Sequence, residues 1–118
     1  MNRRRALLVV LLLAGIASAA PAELAVEARV TGVDLDDSMP PVLAVVEVEI
    51  VNRSDATIQQ CEVELRFLDA AGKVVMRRAH TATALELAPG KDTVTNFEDS
   101  DPPKSWSRAV ELTVRCSG

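Results

Sequence analysis

Two cysteines, one histidine and two knots of acidic residues are what this 118-residue chain offers to chemistry. Cys61 and Cys116 fall on the apolar faces of two alternating stretches. In an oxidising compartment such a pair reads as a disulfide. The bridge closes a loop spanning 55 positions, for which the chain-entropy model gives about 4 kcal/mol. Cys61 begins its stretch and Cys116 ends its own, so the sulfurs meet only if the two strands run antiparallel. The alternative is a pair of buried thiols acting as small hydrophobes. Redox catalysis has no support, because there is no Cys-x-x-Cys and an apolar β face lacks the positive surroundings that activate a thiol.

His80, the single histidine, supplies too little for a triad or for paired acid-base work. No Gly-x-Ser-x-Gly surrounds any serine. Beside Arg78 on a sheet, His80 reads as a polar surface residue; a zinc or copper site with Met39 or Met76 has ligand types but no spacing motif. The acids fall into two groups, Asp34, Asp36 and Asp37 in one loop and Glu98, Asp99 and Asp101 in another. Carboxylates from adjacent loops suit calcium, and the two groups would form one site if both loops lay at the same end of the fold; solvated loop acids are the plainer reading. Glycoside hydrolysis calls for a cleft with stacking aromatics. The chain has only Phe67, Phe97 and Trp106, which read as core, Trp106 capping its end. The sequence therefore predicts neither an enzyme nor a cofactor.

The elements that must position these residues begin after a leader. Arg3, Arg4 and Arg5, an apolar run from Ala6 to Ala17 and a small-residue close make a secretory signal peptide. The run is short of the roughly 20 residues of a bilayer span, so cleavage is expected rather than anchoring. Ala17-Ser18-Ala19 before Ala20 fits the peptidase best, with Ala20-Pro21-Ala22 before Glu23 as second choice. Residues 1–19 are thus the expected leader and residues 20–118 one domain, periplasmic or secreted. Removing the leader takes three of the 13 bases and none of the 17 acids, leaving a formal charge of about −7. Such a field repels nucleic acid and anionic membranes, and Arg77, Arg78 and His80 would be split between two faces of a strand.

Period-two alternation runs through the rest, as in a half-buried antiparallel sheet. Leu24 to Thr31 alternates, Asp34 to Pro41 breaks the strand, and from Val42 to Val51 the even positions are apolar. Cys61, Val63, Leu65 and Phe67 share an inward face. Asp69 to Lys73 closes a hairpin with Gly72 at its positive angle, and Val74 to Met76 starts the return. Ala79 to Ala88 is either a short strand or an irregular crossing. Pro89-Gly90 marks a turn, Asp92 to Phe97 a short strand, Glu98 to Lys104 a polar loop. The last stretch turns Val110, Leu112, Val114 and Cys116 inward. About seven short strands predict an all-β fold, a single antiparallel β-sandwich.

Asn52-Arg53-Ser54 at a strand end, Val63 to Phe67 with Leu68, Asp69 and Gly72 in the next hairpin, then Leu87-Ala88-Pro89-Gly90-Lys91 and Phe97 resemble the FxLYD-type domain, a small immunoglobulin-like β-sandwich of exported prokaryotic proteins. Phe67-Leu68-Asp69 compresses the name-giving motif, and the chain has no tyrosine. The resemblance implies a binding or accessory module with no catalytic residues to carry over. The expected function is recognition of a protein or envelope component through a sheet edge or the loops at one end. The alternatives are an enzyme inhibitor or accessory domain, and a calcium-dependent carbohydrate-binding or adhesion module. The sequence sets no oligomeric state.

Overall fold

The computed structural model describes residues 23–118; the leader reading and its cleavage points before Glu23 lie outside the described residues. Six strands follow in order: β1 (Val26–Asp36), β2 (Leu43–Asn52), β3 (Gln60–Asp69), β4 (Val74–Ala82), β5 (Asp92–Ser100) and β6 (Trp106–Ser117). They form two three-stranded antiparallel sheets, ordered β1-β2-β5 and β4-β3-β6. No helix among the described residues is long and apolar enough to cross a membrane.

Each central strand carries the burial that its alternation predicts. Ala44, Val46, Val48 and Ile50 of β2 face Cys61, Val63, Leu65 and Phe67 of β3 across the sandwich, joined by Val110, Leu112, Val114 and Cys116 of β6. Removing these faces from water, at about 25 cal/mol per Å² of apolar surface, is what holds the layers together. Trp106 closes the core, edge-on to Phe67 with ring centroids 5.2 Å apart, and its indole N–H donates to the Ala109 carbonyl at 2.9 Å. The Asp69–Lys73 hairpin and the Pro89-Gly90 turn are built as their residues demand, with Gly72 at φ 84° and Gly90 at φ 78°, angles that cost glycine nothing.

The strands are fewer and longer than the sequence suggests. β1 does not stop at Asp34; an irregularity between Val30 and Gly32 shifts its register and lets pairing with β2 resume as far as Asp36. β4 runs unbroken to Ala82, so only the part beyond it is irregular, tied back by the Ile58–Leu87 bridge. β5 continues through Glu98 and Asp99 to Ser100, pairing Asp99 with Ala44, so the expected Glu98–Lys104 loop shrinks to Asp101–Ser105.

Two connections cross between sheets at the same end, β2 to β3 and β4 to β5, and Asn52 holds both. It is fully buried, a costly position for an amide unless its hydrogen bonds are made. Its Nδ2 donates to the carbonyls of Ala56 and Leu87 at 2.8 and 2.9 Å, and its Oδ1 accepts from the Ser54 amide and hydroxyl at 2.9 and 2.7 Å. Its backbone bonds Lys91 and Gly90. The segments 52–54 and 87–91 that carry the FxLYD-type resemblance are thus held together by one side chain.

Cys61 and Cys116 form a disulfide. β3 and β6 are antiparallel neighbours and the two residues are direct partners in their register, with Cα atoms 4.0 Å apart. The bond therefore staples one sheet at the end where Leu24 also bridges to Cys116.

Two stability outcomes follow. Reduction, or the Cys61→Ala/Cys116→Ala double variant, is expected to remove about 2–4 kcal/mol, read as a fall in the urea midpoint that reducing agent no longer changes in the variant. Asn52→Leu takes the partner from the buried Leu87 carbonyl and from the partly exposed Ala56 carbonyl and Ser54 amide and should cost about 1–3 kcal/mol, measured by the same titration; Asn52→Asp fares little better, since a carboxylate cannot donate to Ala56 and Leu87.

Candidate functional site

The polar residues that meet across the sandwich are at the β4–β5 side. Alternation through β4 brings Met76, Arg78 and His80 to one face, because their β3 partners Phe67, Leu65 and Val63 all point inward. In β5 the same period carries the inward register from Phe97 to Asp99. His80 Nε2 and Asp99 Oδ2 are 2.9 Å apart, joining the outer strand of one sheet to the outer strand of the other. Asp99 is only 7% exposed, and the His80 ring stacks on Phe97 with centroids 4.6 Å apart and planes 28° from parallel. The contact is an ion pair when His80 is protonated and a hydrogen bond when it is neutral.

Chemically, this gives an imidazole an orienting carboxylate and an aromatic shelf. Nucleophilic catalysis also requires a hydroxyl or thiol within hydrogen-bond reach of the ring. Among the described residues Asp99 is the hydrogen-bonding partner of the His80 side chain, and both sulfurs are spent in the disulfide. The pair works as a strut between the two sheets, and His80, expected as a polar surface residue, is half-buried in that role.

The six acids considered for a cation are not assembled. Asp34 and Glu98 stand on the outer face of β1 and β5, flanking Val45 of β2, roughly 10 Å apart at the usual strand spacing. Asp99 points to the opposite face, toward His80. Asp36 turns back on its own loop, accepting from the Ser38 hydroxyl and amide at 2.7 and 3.1 Å, and those two hydrogen bonds hold its carboxyl below the ordinary value of 3.8. Asp37 and Asp101 are exposed in the loops beyond β1 and β5. Among the described residues no group of three or more His, Cys, Asp or Glu side chains could hold a metal ion. The shared end of the fold is real, yet the intervening β2 separates the groups.

A family model described as a protein of unknown function, DUF3426, matches residues 21–115. The chain belongs to the DUF3426 family. Among solved structures it is similar to the crystal structure of a DUF1425 family member from Shewanella sp. pv-4, with a TM-score of 0.48 and 16% identity over 85% of this chain and 92% of that chain. No curated protein matches it. In this DUF3426 domain the match covers all of β1 to β5 and nearly all of β6, so the Asn52 knot and the His80–Asp99 strut both lie inside it. The family comparison assigns DUF3426 and carries no FxLYD assignment.

His80→Ala leaves Asp99 buried without its partner and is expected to cost about 1–3 kcal/mol. Adding Asp99→Ala should recover part of that loss. A double-mutant cycle by urea unfolding checks the coupling; additive single effects would show that the contact holds nothing together.

Proposed function

We propose that this chain is an exported, non-enzymatic β-sandwich module, immunoglobulin-like and of FxLYD type in its grammar, that recognises a protein or envelope component in the periplasm or outside the cell. The leader-like first 19 residues and a disulfide suited to an oxidising compartment support export. The observation that carries recognition is the inequality of the two sides of the sandwich. Where β1 meets β6, the Leu24 amide donates to the Cys116 carbonyl at 2.9 Å and stitches the sheets together, and a register shift interrupts β1. Where β4 meets β5, the strands are outermost in their sheets and meet through side chains, so each turns a free row of backbone donors and acceptors to solvent.

Soluble proteins usually blunt such edges with proline, bulges, charged side chains or inward-pointing charges. β4 and β5 have no proline, the one register shift lies beside Val75 at the start of β4, and of their inward charges His80 and Asp99 neutralise each other across the sandwich. Val94 stands 52% exposed at this side. A straight edge with free backbone groups takes up an extended segment of complementary charge by strand addition, in which backbone hydrogen bonds supply affinity and alternate side chains supply selectivity. The scattered carboxylates favour no calcium-dependent alternative.

Placing a photo-crosslinking amino acid at position 94 in intact cells is expected to trap one discrete species, while the same group at position 111, on the outer face of β6, traps none. Equal products from both positions would remove the edge from consideration. Mass analysis of the captured chain also reads its N-terminus, expected at Ala20 or Glu23.

A further inference from the structure

The two free edges differ in charge. β4 carries Arg77, Arg78 and His80 and no acid, whereas β5 carries Asp92, Glu98 and Asp99 and no base. Within one molecule they belong to different sheets and lie on the same side of the sandwich. They also run in opposite directions: β3 opposes both β4 and β6, β2 opposes both β1 and β5, and the antiparallel Leu24–Cys116 bridge relates the two sheets.

We infer that the partner of this edge is a second copy of the chain, joined so that β4 of each copy pairs with β5 of the other; this rests on reading the edge as the binding surface. A twofold axis parallel to the strands preserves strand direction and exchanges front and back sheets, so β4 meets the partner's β5 antiparallel and the interface closes on itself. The result is two continuous six-stranded sheets around one extended core. The other twofold arrangement, with its axis perpendicular to the sheets, sets β4 against β4 and β5 against β5. It places arginines beside arginines and acids beside acids, a cost the first arrangement avoids.

Side-chain alternation restricts the register, since inward positions must meet inward positions. The inward residues of β4 are even-numbered and those of β5 odd-numbered. One register that obeys this rule sets Arg77 opposite Glu98, Ala79 opposite Asn96 and Thr81 opposite Val94 on the outer face. Arg77 can turn to serve there: its side chain is 60% exposed and its ion pair with Glu64 is long, at 3.9 Å. The pairing covers Val94 and leaves the His80–Asp99 strut of each copy in place.

Sedimentation equilibrium of the mature chain purified from its cells tests this. The wild type should dimerise, and Arg77→Glu and Glu98→Arg should each weaken the dimer by about tenfold or more, because two symmetric pairs pass from attraction to repulsion. Mixing the two variants should restore a dimer composed of one of each, identified by native mass spectrometry, a result that misfolding of either variant cannot imitate. A wild type that stays monomeric to about 1 mM, or a dimer indifferent to both reversals, overturns the inference. If that monomer is still crosslinked from position 94 to a different protein, the edge keeps its binding role and only self-pairing is lost.

Discussion

A sandwich with three strands per layer has one interior strand in each sheet, and everything else hangs on how the chain passes between layers. Here both side-by-side crossings are governed by a single amide. Asn52 uses both its donors and accepts twice, so the β2–β3 connection and the approach to β5 are held against the same atom group. An apolar residue of similar size would fill the space but leave the buried Leu87 carbonyl without a donor, and a carboxylate would lack the donors. The position demands an amide for reasons of hydrogen-bond arithmetic rather than of volume.

With the crossings settled, the remaining freedom lies at the sides. One is stitched by the Leu24–Cys116 backbone bridge; the other is spanned by an imidazole and a carboxylate over a phenyl ring. The two solutions have different consequences. A backbone bridge brings the two outer strands together at one pole, whereas a side-chain strut leaves the backbone of both outer strands facing outward. That asymmetry distinguishes one side of the sandwich from the other.

The interior strands are legible in the sequence because both their neighbours are protein, and every inward residue must therefore be apolar. The even positions of Val42 to Ile50 and the odd positions of Cys61 to Phe67 are apolar throughout; Val110 to Cys116 of β6, an outer strand packed beside β1, alternates as cleanly, and the antiparallel relation of the two cysteines follows from where each sits in its stretch. The outer strands β4 and β5 obscure their own pattern. Arg78, His80, Thr95 and Asp99 occupy inward register, but at the mouth of the sandwich water reaches part of that face, so polar residues are tolerated and the period-two signal fades. The strut was missed for the same reason, although carrying the alternation two residues beyond Phe97 places Asp99 on its face. Asn52 hides similarly, as the inward position two after Ile50 in a segment that otherwise has the composition of a turn.

The covalent link within one sheet also decides how the molecule bears load. Leu24 and Cys116 are adjacent, so tension applied to the two chain ends first meets a single pair of backbone partners at one pole. Once that gives way, β6 cannot be drawn off, because its end is bonded to the start of β3. Stretching can unravel β1, β2 and the connection to Gln60, while the 55-position loop beyond, closed by the disulfide, bears no tension and keeps the β4-β3-β6 sheet together. Under pull, the domain is a short extensible lead attached to an inextensible bead.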